Sequence, residues 1–206
     1  KVGEDAYNDC NQSGVQSMAI KIFIDQGHNP TGHNTGAESF GVKEQDVTYQ
    51  VGVYLSDMLR SNGNFEVRLS RNTPEEVLGT SNSTSLRARV AEANAWPADY
   101  FISIHANANV NPDIHGTECY VYKAFTEAYD LAVDILEGIV SRVGTKDNGV
   151  RTNPSLYVLR RTTMPAVLVE LAYLTNFEDV ELLVNEQYAF AEGIYNGIVK
   201  YFQKVG

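Results

Sequence analysis

Short apolar runs alternate along this chain with longer stretches in which apolar residues recur at helical spacing, and this alternation constrains the fold more than any other feature. It is typical of an α/β fold, in which helices cover both faces of a mainly parallel sheet. Apolar residues make up 43% of the 206 residues, which is enough to bury the core of one ordinary domain. We therefore predict a single α/β domain built on a twisted, mainly parallel, six-stranded sheet.

The positions of the elements follow from the same patterns. The short apolar runs predict strands at residues 19–25, 65–70, 100–106, 117–122, 156–160 and 166–171. The helical spacing predicts helices at residues 45–60, 85–94, 126–143 and 178–202, the last of them broken near Asn185. Turn-forming residues between 72 and 83 indicate a surface loop. Residues 1–18 are polar and lack periodicity, so we expect a tail or linker there and the folded domain over residues 19–206.

Charge and composition narrow the possible partners. A formal net charge of −10 repels phosphates at long range, which argues against nucleic acid and anionic membrane surfaces as partners. No apolar run approaches the roughly 18 to 20 residues that a membrane-spanning helix needs. The chain begins at Lys1, so we expect that a signal or a neighbouring domain was removed upstream. Cys10 and Cys119 fit no thiolate metal motif and are interpreted as structural or incidental.

Polar residues with useful chemistry stand where three of the predicted strands end. His28 follows the first strand, His105 ends the third and Glu170 ends the sixth. The carboxyl ends of parallel strands meet at one edge of a sheet, where α/β folds bind their ligands. A fourth residue, Glu44, opens the first predicted helix after a glycine-containing loop. We therefore expect these four side chains to lie at one edge.

Two imidazoles and a carboxylate form a recurring ligand set for catalytic zinc, which leaves a fourth position for water. A second carboxylate near that water can act as a general base. Each residue alone also has a simpler interpretation. A single histidine at a strand end is often a hydrogen-bonded structural residue, and Glu44 could cap its helix. Glu170 interrupts an apolar strand at a cost of several kcal/mol unless it is compensated, either by a metal site or by an ion pair with Arg160 or Arg161.

The two remaining histidines do not end strands. His33 and His115 lie in predicted loops, where we expect both to be solvated. The loop of His33 joins His28 to Glu44, so His33 stays a possible substrate contact.

Five stretches, taken together and in order, resemble one known family. The chain is similar to the zinc-dependent N-acetylmuramoyl-L-alanine amidases, often called type 3 amidases, from about residue 21 to residue 202. The stretches are IFIDQGHNP, GVKEQDVTYQVGVYL, VRLSRN with SLRARVAEAN, ADYFISIHANA and MPAVLVELAYLTN. The resemblance implies that residues 19–206 are a zinc amidase catalytic domain.

The resemblance also assigns roles that spacing alone leaves open. It implies that His28, Glu44 and His105 hold one Zn²⁺ and that Glu170 is the catalytic carboxylate. It places Asn107 near the metal as a substrate contact, and it makes Arg71 and Arg89 structural supports.

The expected function is hydrolysis of the amide that joins N-acetylmuramic acid to L-alanine in peptidoglycan, outside the cytoplasm. Specific contacts, or a targeting domain beyond the present sequence, would then bring the enzyme to the wall. Two alternatives stay open: a zinc peptidase that cuts within the stem peptide, and a non-catalytic module that binds the wall.

Overall fold

A six-stranded sheet lies at the centre of the protein, for which a computed structural model describes residues 19–205. The strands are β1 (Ile20–Gln26), β2 (Glu38–Ser39), β3 (Val42–Lys43), β4 (Phe65–Leu69), β5 (Tyr100–Asn107), β6 (Thr117–Val121), β7 (Asp147–Thr152) and β8 (Ala166–Tyr173). The sheet has the order β4-β1-β5-β8-β6-β7, while β2 and β3 form a separate antiparallel hairpin. Strands β4, β1, β5 and β8 are parallel, β6 runs antiparallel to β8, and β7 is parallel to β6. The start of β6 therefore lies at the edge where β1, β5 and β8 end.

Six helices surround this sheet in the part of the chain that the structure describes. They are α1 (Glu44–Asn62), α2 (Asn82–Ala95), α3 (Glu127–Val143), α4 (Tyr157–Arg161), α5 (Phe177–Asn185) and α6 (Gln187–Val205). Within residues 19–205, no helix combines the length and the apolar character needed to cross a membrane.

Two hydrophobic clusters show which face each helix covers. The larger cluster joins Val51 of α1, Ile135 of α3 and Ile194 of α6 to one face of the sheet. The smaller cluster joins α2 and α4 to the other face, with Val90 and Leu159 packed among strand residues. Helices therefore cover both faces of a mainly parallel six-stranded sheet, and the predicted fold class is confirmed.

One predicted strand is wrong. The run at residues 156–160 lies mostly in the helix α4 (Tyr157–Arg161) instead, in which Val158 and Leu159 are buried against the smaller cluster while Arg160 is exposed. A short apolar run has the same pattern in a strand and in a brief buried helix, so periodicity could not separate them. The sixth strand is the edge strand β7, whose sequence DNGVRT contains a single apolar residue and therefore gave no signal.

The other predicted elements agree with the structure to within a few residues. The break in the last helix lies at Glu186, between α5 and α6. The loop over residues 72–83 ends where Ser81 and Thr84 form a capping box at the start of α2. Cys119 is fully buried in β6, in agreement with a structural role. The predicted tail at residues 1–18, which includes Cys10, falls outside the described residues.

Candidate metal centre

Three side chains from separate elements converge at the carboxyl edge of the sheet. His28 follows β1, Glu44 opens α1 and His105 lies in β5, and one potential ligand atom of each lies within 4.8 Å of the others. The Oε1 atom of Glu44 is 3.0 Å from Nε2 of His28 and 3.0 Å from Nδ1 of His105. The structure therefore brings together the two imidazoles and the carboxylate that the sequence singled out.

The loop after β1 fixes the orientation of His28. Its Nδ1 lies 3.1 Å from the carbonyl oxygen of Asn34, and this contact requires a proton on Nδ1. This contact orients the ring so that Nε2 faces Oε1 of Glu44. His28 has a φ of 70°, a left-handed conformation that is uncommon for a residue other than glycine. Such strain often marks a functional position that its surroundings hold in place.

Glu44 is held from outside its own helix. Its Oε1 accepts a hydrogen bond from the Ala106 amide at 3.1 Å, and its Oε2 accepts one from the Ala37 amide at 3.0 Å. Among the hydrogen bonds of residues 19–205, the carboxylate accepts none from the first turn of α1, so the helix-capping interpretation is not supported. Burial raises the pKa of Glu44, but the hydrogen bonds and charges of the two histidines outweigh it and hold the pKa far below its usual value. The carboxylate is therefore ionised and available as a ligand.

Two glycines make room for this arrangement. A Cβ atom on Gly27 would lie 2.5 Å from Cε1 of His105, and one on Gly36 would lie 2.6 Å from Cβ of Glu44. Both distances are far shorter than a van der Waals contact, so any side chain at either position would push a candidate ligand aside. The backbone of the loop that joins His28 to Glu44 thus packs directly against the site.

Glu170 lies beside the three residues on the same sheet. It pairs in register with His105 across β5 and β8, and its Oε2 is buried with no hydrogen-bond partner among the described residues. Burial raises the pKa of Glu170 well above its usual value, and the nearby carboxylates of Glu44 and Glu118 raise it further. The alternative ion pair is absent among residues 19–205, because Arg160 and Arg161 lie in α4 and neither pairs with Glu170.

Two buried arginines brace the elements that carry the site. Arg89 donates to the Asp25 carboxylate at 2.7 Å and to the carbonyl oxygen of His28 at 2.6 Å. Arg71 donates to the carbonyl oxygen of Gln45 in the first turn of α1 at 2.7 Å. Both side chains are only 1% exposed and face the backbone, as structural supports would.

The remaining predicted positions are not in the group of three candidate ligands. Asn107 ends β5 and donates from Nδ2 to Oε1 of Glu118 at 2.7 Å. His33 is exposed and His115 is partly exposed in a loop, and neither joins the group of candidate ligands.

Sequence reasoning missed Glu118, which is 1% exposed and pairs in register with Glu170 across β6 and β8. A signal was available, because Glu118 is a lone carboxylate in an apolar strand, as Glu170 is.

Comparison with known proteins decides the family. The family model described as N-acetylmuramoyl-L-alanine amidase matches residues 22–200. The chain belongs to this amidase family. The resemblance found in the sequence is therefore confirmed, and the family members named below are N-acetylmuramoyl-L-alanine amidases by name.

Individual amidases of the family match over most of the chain. The N-acetylmuramoyl-L-alanine amidase CwlM of Bacillus licheniformis is 37% identical over 187 residues, which cover 89% of this chain and 69% of that protein. The crystal structure of an N-acetylmuramoyl-L-alanine amidase from Clostridium difficile 630 has a TM-score of 0.79 and 32% identity, and covers 92% of this chain and 100% of that one. The amidase AmiC2 of Nostoc punctiforme has a TM-score of 0.78 and 34% identity, with coverage of 89% and 97%.

Proposed function

We propose that this protein hydrolyses the amide between N-acetylmuramic acid and L-alanine of peptidoglycan, with one zinc ion held by His28, Glu44 and His105 and with Glu170 as general base. The observation that carries the proposal is the position of Glu44 Oε1, 3.0 Å from a nitrogen of each histidine, in the same edge of the sheet as the unpartnered Oε2 of Glu170.

The donor set fits zinc. Two imidazole nitrogens and one carboxylate oxygen are the ligands of many catalytic zinc sites, and such sites keep one position open. The hydrogen bond from Nδ1 of His28 to Asn34 is the kind of outer contact that orients a ligand histidine. When bound, the ion would polarise the amide carbonyl and lower the pKa of a water molecule towards about 7.

Glu170 has the properties that the proton transfers require. Its carboxylate would take a proton from the attacking water as the new C–O bond forms. It would return that proton to the nitrogen of L-alanine as the C–N bond breaks, which leaves a free amine and a carboxylic acid. A raised pKa suits both transfers, because a general base works best when its pKa lies near the working pH.

The relatives' names support a wall substrate, so we place the activity outside the cytoplasm and assign peptidoglycan as the partner. The strongly negative formal charge argues that specific contacts, or a targeting domain beyond this sequence, bring the enzyme to a wall that carries acidic polymers. We assign it no nucleic-acid partner.

Product analysis on purified muropeptides tests the reaction. Release of intact stems that begin with L-alanine, from a protein that holds one zinc ion per chain by elemental analysis, is the expected result. Stems shortened at an internal residue would identify a zinc peptidase instead, and binding to peptidoglycan without any cleavage would identify a wall-binding module.

A further inference from the structure

A buried carboxylate beside the candidate metal centre gathers side chains from four neighbouring strands. Oε1 of Glu118 accepts hydrogen bonds from Asn107 of β5 at 2.7 Å, Tyr173 of β8 at 2.9 Å and Tyr120 of its own strand β6 at 3.0 Å. Its Oε2 pairs with Nε of Arg151 of β7 at 3.0 Å. Burial and the charge of Glu118 raise the pKa of Tyr120 to about 12, so this hydroxyl stays a donor. Three hydrogen bonds at Oε1 and the ion pair with Arg151 compensate the charge of Glu118, although Oε2 accepts no hydrogen bond within residues 19–205.

The Nε edge of the Arg151 guanidinium is paired with a carboxylate, while its other edge is exposed to solvent. Glu118, which is 2% exposed in its side chain, holds the Nε edge, while the side chain of Arg151 is 56% exposed. Its Nη2 makes only a long contact of 3.4 Å with the carbonyl oxygen of Asn148. A guanidinium carries five N–H donors, so most of its donors face solvent with their direction already set. A planar fork of this kind matches a carboxylate.

The position of Arg151 relates it to the reaction. Glu170 and Glu118 are register partners, and Arg151 pairs with Tyr120 on the next strand, so all three side chains emerge on one face of the sheet. β8 and β7 are separated by two strand spacings, about 10 Å. An extended peptide covers that distance in about three residues. A stem peptide whose first residue lies at Glu170 would bring its second or third residue to Arg151.

We propose that Arg151, held in place by Glu118, binds a free carboxylate on the second or third residue of the stem peptide. This inference rests on the proposed amidase function. Arg151 is a specificity residue, and Glu118 is a positioning residue that acts through it. The cation also offsets the charge of Glu118, which would otherwise repel an anionic peptide.

Matched substrates test the proposal directly. We would compare a muramyl tripeptide that has free carboxylates on its second and third residues with two versions in which one carboxylate is a carboxamide. For the wild-type enzyme, kcat/KM for one of the two carboxamide substrates should be about three- to tenfold lower than kcat/KM for the acid substrate, as expected for a partly exposed ion pair. Arg151→Gln should raise KM for the acid substrate by a similar factor and leave kcat unchanged, and its acid and amide substrates should then be cleaved alike.

Arg142→Gln is the matched control, because Arg142 is an exposed arginine that also pairs with a carboxylate but lies on α3. It should keep the full preference for the acid substrate. An equal preference in wild type and Arg151→Gln would overturn the proposal. If the wild type cleaves none of the three substrates, the proposed function has failed before this inference is reached.

Glu118→Gln separates positioning from packing. The variant keeps the shape of the side chain but loses its charge, so Arg151 should no longer be held. The acid preference should fall towards that of Arg151→Gln, with zinc content unchanged. A folded Glu118→Gln protein with the full acid preference would remove Glu118 from the proposal. If this variant does not fold, Arg151→Gln still decides whether the subsite exists.

Discussion

Replacement of Arg89 by leucine tests whether the site depends on a buried ion pair behind it. Arg89 and Asp25 are each 1% exposed, and the Nη1 atom of Arg89 lies 2.7 Å from Oδ1 of Asp25. Burial alone raises the pKa of Asp25, but the charge and hydrogen bond of Arg89 outweigh it and hold the pKa below its usual value. Arg89→Leu therefore leaves a carboxylate buried without its partner cation.

The expected loss follows from these contacts. Removal of one partner of a buried pair costs about 3 to 5 kcal/mol, a large part of a total stability of about 5 to 15 kcal/mol. At about 2 to 4 °C per kcal/mol for a protein of this size, the melting temperature should fall by roughly 10 °C. Arg89 also donates to the carbonyl oxygen of His28 at 2.6 Å, so zinc affinity should fall as well.

Urea unfolding at several pH values measures the effect. A lowered pKa means that Asp25 stabilises the wild type above its unfolded pKa, and that this stability is lost as the pH falls through the folded pKa. The gap between wild type and Arg89→Leu should thus be widest at neutral pH and narrower near pH 4. Addition of Asp25→Asn should restore part of the loss at pH 7, because it removes the buried charge.

The control is Arg142→Leu, because Arg142 is exposed and its partner Glu192 is partly exposed, so its loss should change the stability very little. A loss from Arg89→Leu no larger than that of this control, or no recovery on adding Asp25→Asn, would refute the reasoning.

Three further predictions concern the metal and Glu170. Glu170→Gln should keep stoichiometric zinc, measured by elemental analysis, but lose about 100- to 10,000-fold in turnover, measured by muropeptide assay. His105→Ala should lose both zinc and turnover. The control His33→Ala should keep both. In chelated protein, Glu170→Gln should be more stable than wild type at pH 7 but not at pH 4. The reason is that folding raises the pKa of Glu170, which lowers the stability of the wild type at any pH above the pKa of this group in the unfolded chain. Equal unfolding midpoints at pH 7 would contradict this. Chelation should increase proteolysis between residues 29 and 43 and spare the sheet, since Gly36 packs against Glu44; equal cutting with and without zinc would reject this coupling.

The sequence indicated the central part of the site because residue type and strand position agree there. His28, His105 and Glu170 each follow or interrupt an apolar run, and the parallel order of β1, β5 and β8 brings those positions to one edge. Neither the contacts of Glu44 with the Ala37 and Ala106 amides nor the close approach of Gly27 could be predicted. Both depend on how the loop after β1 closes, which spacing does not encode.

Glu118 was missed for a topological reason. Residues at the carboxyl ends of strands share one edge of a sheet only when the neighbouring strands are parallel. Because β6 runs antiparallel to β8, its first residues meet the last residues of β8 at the same edge. The edge strand β7 was missed as well, because a sequence with a single apolar residue shows no alternation of apolar and polar positions. Arg151 lies in β7, so its position near the site could not be predicted either.

The same reversal explains how the fold supports a site with an unpaired carboxylate. Within residues 19–205, Glu170 has no hydrogen bond at Oε2, and a buried carboxylate oxygen without a donor opposes folding. Its neighbour in the adjacent antiparallel strand, Glu118, by contrast accepts three hydrogen bonds at Oε1, one of them from Tyr173 of β8, and its Oε2 forms an ion pair with Arg151 of β7. If β6 were parallel to β8, its first residues would lie at the opposite edge and these donors could not meet there. The two reversed strands therefore bring compensating donors to Glu118, while Glu170 beside it keeps the open position that its proposed role requires.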